Sequence, residues 1–386
     1  MAAVVLVGLN LRAGISSAGP LFHDLEELLG YGTLVASLLP TIPVLCFAFA
    51  GAGTAWLVKH TGLERAIGIA LLLLTLGLAV RAFESTWLVL AGTVFGMSGL
   101  AICNVAMPSF IREYHAHRTA AMTATYSVTM SVGATTAAAL SVPVAAHLGS
   151  PTLGLAAWAI PAALALLVFL PLAIRGSRAV GPAGPHVSPW PMLATRKGLL
   201  FTSIFAVQAL LVYTLLSWLP NILISRGSDP ATAGFMLGLV QAVSIPTVLF
   251  LLWMASKPRL LRAAFILTCG CAVAGFATLL LLPAGLAAIP AVLTGLGLGI
   301  FPLLMLMISR SGESAAETTA LSTLAQSVGY LVAAAGPFGL GLLHGALGSW
   351  TVPLVILVGV ALVQFVLGYR LGGIGRKKVV PVEVLT

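Results

Sequence analysis

Acidic side chains are few in this sequence, and where they are missing excludes more than their number does. Ten Asp and Glu are spread over 386 residues, each in a short polar break between long apolar runs or at the edge of a run. The seven histidines, at 23, 60, 115, 117, 147, 186 and 344, occupy breaks or run ends as well. A membrane hydrolase or protease needs a nucleophile beside a base, or a set of metal ligands, at one depth. Neither can be assembled from these residues, so no catalytic residue, metal ligand or cofactor is expected and the protein is not read as an enzyme. Cysteine is just as sparse. Cys46, Cys103, Cys269 and Cys271 lie inside apolar runs and show neither zinc nor redox spacing. Two residues apart on a helix, Cys269 and Cys271 point in different directions. All four are read as small buried hydrophobes.

Charge of either sign is scarce: 8% of residues are charged, 59% are hydrophobic and the mean hydropathy is +1.09. A soluble domain carries about 25% charged residues. In place of charge the chain has apolar runs of membrane-spanning length. Twelve are read, at about 1–22, 32–58, 63–83, 86–111, 119–147, 152–174, 198–224, 231–255, 260–282, 286–309, 316–345 and 349–371. The first has no basic leader and carries Arg12 in its middle, which argues against a cleaved signal peptide. An all-α, multi-pass membrane protein is expected.

The net charge of +9 does not point to nucleic acid, because its distribution is that of a topology signal. In the twelve-run reading Lys59, Arg65, Arg112, Arg118, Arg175, Arg178, Arg196, Lys197, Lys257, Arg259, Arg262 and Arg310 fall on one side. The tail residues Arg370, Arg376, Lys377 and Lys378 join them, and the opposite loops hold only Arg81 and Arg226. The positive-inside rule makes the loaded side cytoplasmic, with both termini there.

The longest break, 175–197, is rich in Gly, Pro and Ser and divides the runs six and six. The organisation read from it is a six-helix bundle over 1–174, a cytoplasmic linker over 175–197, a second bundle over 198–371 and a tail over 372–386. The halves echo each other. "GMSGLAICNVAMPSFIRE" from Gly96 matches "GLGLGIFPLLMLMISRSGE" from Gly295, and "HLGS" at 147–150 matches "ALGS" at 346–349. The offset of about 199 residues is that of a duplicated six-helix unit.

At this point the chain resembles the major facilitator superfamily of secondary transporters. The superfamily's loop pattern between the second and third spans is degenerate in "AWLVKHTGLER", where Lys59 replaces the usual Asp. A narrower resemblance, to the cyanate and 2-nitroimidazole transporter family, covers nearly the whole chain. It rests on "NLRAGISSAGPL" (10–21), "CNVAMP" (103–108), "VQALLVYTLLSWLP" (207–220), "QAVSIP" (241–246) and "LAQSVGYLVAAAGP" (324–337). Ala13-Gly14 and Cys103 depart from the family's Pro-Ala and Gly. The resemblance implies two six-helix bundles in the major facilitator fold, rocking by alternating access.

Depth along the helices identifies candidate solute ligands without the family. Arg12 lies eleven residues from His23, about 16 Å along a helix axis and so near the bilayer midplane. A cation there costs about 3 kcal/mol on insertion scales. Gln208, Gln241, Gln326, Asn104 and Tyr126 fall at about 12–18 Å from the nearest charged end of their runs. Tyr330 shares a helix face with Gln326. These seven are the expected substrate-binding residues. Asn10 is read as a helix brace, and Trp218 as an anchor at the outer interface. No carboxylate is available to Arg12, so its planar fork is expected to receive a carboxylate, a nitro group or a compact anion.

The expected function is secondary transport of a small solute, either an anion such as cyanate or a nitro-heterocycle such as 2-nitroimidazole. The expected location is the inner membrane of a bacterium, and the expected state a monomer in the bilayer. With no Asp, Glu or His in the core of any span, transport is either uncoupled or carries its proton on the solute. Export of neutral aromatic compounds and a non-transporting receptor are the alternative readings.

Overall fold

The computed structural model describes residues 1–176, 190–257, 259–311 and 314–374. Arg178, His186, Glu313, most of the linker and the tail from Arg376 lie outside the described residues. Among those described there is helix and no strand. Twelve helices or helix pairs have the length and composition to cross a membrane. In chain order, spans 1 to 6 are Ala2–Leu29, Ile42–Thr61, Leu63–Val80, Thr86–Tyr114, Ala121–Leu148 and Pro151–Arg175. Spans 7 to 12 are Arg196–Ile224, Pro230–Ala255, Leu261–Leu281, Ala288–Ser309, Glu317–Leu347 and Thr351–Gly373. Helices are the outcome hydrocarbon enforces, since each backbone donor and acceptor must be met within the segment.

Small residues let these helices approach. A Cβ on Gly77 would sit 2.2 Å from the backbone nitrogen of Gly96, which joins span 3 to span 4. A Cβ on Gly133 of span 5 would collide with the carbonyl of Leu9 in span 1. The internal repeat is visible in the backbone. Gly149 and Gly348, 199 residues apart in number, both end their helices in the left-handed region, at φ +73° and +63°. Only glycine enters that region without a Cβ penalty, so "HLGS" and "ALGS" perform the same stop.

Several spans are broken, and proline accounts for the breaks. Span 1 is helical over Ala2–Ser16, passes through a short 3-10 turn at Gly19–Leu21 and resumes over Phe22–Leu29. Pro20 has no N–H to offer the carbonyl of Ser16. Span 10 divides at Leu298–Gly299, because Pro302 has none for Leu298. In span 11 the helix restarts after Ala334, where Pro337 deprives Ala333. The first break differs from the sequence reading, which ends the run at Phe22 where charges begin. The structure carries the His23–Glu27 cluster on a further two turns of helix, and Gly30 at φ +61° ends them.

Candidate functional site

The two halves meet from mid-membrane to the side that carries His23, called here the His23 face; the opposite side is the basic face. On the His23 face a Cβ at Gly19 would lie 2.6 Å from the carbonyl of Leu216, and one at Gly341 would lie 2.7 Å from the Ser37 hydroxyl. Gly234 and Gly238 of span 8 lie against the backbone of span 5 at Ala138 and Thr135. Phe22 packs on Trp218 with ring centroids 6.2 Å apart. The hydrogen bond from Gln241 to Ser16 and the ring contacts of Phe22 and Phe47 with the second half all lie from mid-membrane to the His23 face.

Trp218 is therefore not an interfacial anchor. It is 4% exposed, donates from Nε1 to the carbonyl of Pro337 at 2.9 Å and packs at a tilt on Trp350, with ring centroids 5.2 Å apart. Proximity to a span end predicted lipid contact, but the half-to-half seam covers that end.

Arg12 lies at the inner limit of this seam. It is half-buried, within electrostatic reach of Tyr126 in its own half and of Tyr213 and Tyr330 in the other. The described ion pairs are His23–Glu27 and Lys197–Glu317, and among the described residues Arg12 has neither an ion pair nor a hydrogen bond. Beside it, aromatic rings from both halves form a cluster. Phe47 of span 2 lies 6.0 Å from Tyr213 and 5.2 Å from Tyr330, and Tyr330 meets Phe205 edge-on at 5.0 Å. Tyr213 and Tyr330 themselves meet edge-on, with ring centroids 5.9 Å apart. Phe47 carried no sequence signal, because one Phe in an apolar run is indistinguishable from packing.

The other expected ligands divide. The Tyr126 hydroxyl donates to Asn104 Oδ1 at 3.4 Å, so these two form one polar group beside Arg12. Gln241 is buried and donates to the Ser16 hydroxyl at 3.5 Å, one turn along span 1 from Arg12, joining the halves. Gln326 is half-buried, one turn from Tyr330 towards the basic face, and donates to the Ser322 hydroxyl at 2.9 Å. Asn10 braces span 1 as expected, donating to the carbonyls of Leu6 and Pro161.

Gln208 is not brought to Arg12. Its Nε2 donates at 3.2 Å to the carbonyl of Leu298, the acceptor that Pro302 leaves without a backbone donor, and its Oε1 accepts from Gln364. At 2% exposure it repairs the break in span 10. Truncating it leaves a buried acceptor unpaired, at a cost of about 1–3 kcal/mol. Gln208→Ala is therefore expected to lower thermal stability in detergent while leaving solute affinity within about twofold. Paired melting and binding curves would check this.

A family model for the Major Facilitator Superfamily matches residues 4–337. The chain belongs to the major facilitator superfamily. The 2-nitroimidazole transporter of Escherichia coli (strain K12) is 33% identical over 384 residues, covering 96% of this chain and 95% of that one. The cyanate transport protein CynX of the same organism is 27% identical over 352 residues, covering 90% of each. The crystal structure of the nucleoside transporter NupG superposes with a TM-score of 0.76 at 11% identity, covering 95% of this chain and 97% of that one. That likeness bears on the fold alone. As a member of the major facilitator superfamily the chain is a multi-pass membrane transporter, with twelve apolar helices to span the bilayer.

Proposed function

We propose that this transporter moves a small, planar, oxygen-bearing solute, held at mid-membrane between Arg12 and the aromatic cluster. The observation that carries the reading is Arg12 itself: a half-buried guanidinium, without ion pair or hydrogen bond among the described residues, facing tyrosines of both halves. A nitro-heterocycle matches both elements, with nitro oxygens on the guanidinium fork and the ring against Phe47, Tyr213 and Tyr330. Cyanate would use the fork alone. The names of the two relatives above support this class of solute. Asn104 and Tyr126 complete the polar side of the site, and Gln326 borders its approach from the basic face. Gln241 adds a contact between the halves that must break and reform as they rock.

The positive-inside rule makes the basic face cytoplasmic, in the inner membrane of a bacterium with both termini inside. The conformation is then inward-open, sealed outside by the glycine and aromatic contacts. Arg259→Cys on a cysteine-free background is expected to react with an impermeant maleimide in inverted vesicles and not in right-side-out ones. Labelling in right-side-out vesicles would reverse the assignment.

The solute class is tested by competition. 2-Nitroimidazole is expected to bind at least about tenfold more tightly than imidazole, which lacks the nitro group, since a charge-assisted contact is worth about 1.5–3 kcal/mol. Equal affinities would favour export of neutral aromatic compounds, for which the aromatic cluster would suffice.

A further inference from the structure

Arg81 was expected in a loop on the His23 face, yet it is among the most deeply enclosed side chains of the protein, at 1% exposure. Its Nη1 donates to the carbonyl of Gly14 at 3.3 Å. That carbonyl has no backbone donor from Ala18, which turns to Ile15 as the helix of span 1 tightens, and Arg81 shares it with the Ser17 hydroxyl at 3.4 Å. Its Nε has no partner, and neither described ion pair involves it. An Arg keeps its charge in any protein setting. A cation buried without a carboxylate is costly, and one helix-end carbonyl offsets little of that cost.

The guanidinium lines a small internal cavity of about 20 Å³, room for one water. The walls come from both halves: Gly14 and Phe22 of span 1, Pro43 of span 2 and Thr93 of span 4 face Ser217 of span 7. Ser217 adjoins Trp218, which packs on Phe22 across the seam. Parting the halves on this face removes the Ser217 wall. The cavity then widens into a cleft with the Arg81 fork and the Thr93 hydroxyl in its floor.

We propose that Arg81 is a second anion-binding station, which receives a small planar anion when the His23 face opens. It stands two residues along span 1 from Arg12, an axial offset of about 3 Å, on the other side of that helix. The solute class rests on the reading of Arg12 given above; the opening of the station does not. In the sealed state Gly14 and the cavity hold the guanidinium. In the open state an anion takes the free side of its fork and is passed around span 1 to Arg12.

The test labels arginine with phenylglyoxal and reads Arg81 by peptide mass. It compares protein whose His23 face is locked by a disulfide between Ser37→Cys and Gly341→Cys with the same protein reduced. Arg81 is expected to be modified in the reduced form and spared in the locked form. Sodium cyanate is expected to slow that modification in both the Arg12 and the Arg12→Gln proteins, relative to sodium chloride at equal ionic strength. Cyanate binding left in Arg12→Gln should vanish in Arg12→Gln/Arg81→Gln and survive in Arg12→Gln/Arg81→Lys. Arg81 that stays unmodified after reduction, or that cyanate does not protect, would overturn the station. Protection of Arg81 together with unchanged cyanate affinity in Arg12→Gln would instead leave the station standing and overturn the reading of Arg12.

Discussion

Oxidising the Ser37→Cys/Gly341→Cys pair, in a background freed of the four native cysteines, is expected to abolish turnover and to leave solute binding from the basic face intact. A Cβ on Gly341 lies 3.1 Å from the Cβ of Ser37. A disulfide asks for about 3.5–4.5 Å between Cβ atoms, so span 11 must move slightly away from Ser37 and also clear the Trp218 ring, 2.6 Å from the same Cβ. The bond would join the short helix Thr33–Leu38, which leads into span 2, to span 11 across the seam between the halves. The Gln241–Ser16 hydrogen bond and the Phe22–Trp218, Phe47–Tyr213 and Phe47–Tyr330 ring contacts between the halves lie at mid-membrane or towards the His23 face. Fixing it shut leaves no route by which the site can empty to the other side. Reduction should restore transport. Full transport with a complete cross-link would rule out rocking of the two halves about the site.

Arg12→Ala is expected to have the next largest effect, a loss of about tenfold or more in solute affinity with uptake falling in step. In the sealed state no other cation among the described residues faces the tyrosines beside Arg12: Arg81 is held at the Gly14 carbonyl on the other side of span 1, and two further arginines cap helix ends elsewhere. Arg226 reaches the carbonyls of Leu279 and Leu282, and Arg310 that of Ala255. Arg12→Lys keeps the charge and loses the bidentate fork, so it should fall between wild type and Ala. The pH dependence of uptake should follow the protonation of the solute, because the site holds no carboxylate. Glu113→Gln and Glu317→Gln, near the basic face, should leave the shape of the pH profile unchanged. Glu64→Gln should do the same while costing stability, since Glu64 is buried and accepts a hydrogen bond from Tyr114 at 2.5 Å. Initial rates in proteoliposomes between about pH 5.5 and 8 would check both statements.

The sequence carried the twelve spans, the duplicated halves and Arg12, each for a definite reason. Spans are legible because hydrocarbon forces long apolar helices. The repeat is legible because Gly149 and Gly348 stop their helices with the same left-handed turn. Arg12 is legible because a charge in an apolar run is an anomaly. What escaped was direction around the helix axis. Depth alone made Gln208 and Gln241 equivalent, yet one repairs the acceptor freed by Pro302 and the other bridges to Ser16. Which carbonyl Pro302 frees can be read from the chain, but that Gln208 lies beside it is a tertiary fact. Arg81 and Trp218 were misplaced for a related reason. Each sits near the end of an apolar run, where loop or lipid is the ordinary neighbour, and the seam between the halves encloses both. Phe47 shows the opposite case, a residue whose type is so common in spans that only its neighbours Tyr213 and Tyr330 give it meaning.

The claim on which the account rests is that Arg12 holds the solute. Equilibrium titration of purified wild-type and Arg12→Ala protein with 2-nitroimidazole and with sodium cyanate tests it most directly, with the Gln208→Ala protein alongside as a variant of lowered stability. Binding that weakens at least about tenfold in Arg12→Ala and stays within about twofold of wild type in Gln208→Ala is the predicted result. Undiminished binding of either solute by Arg12→Ala would contradict it.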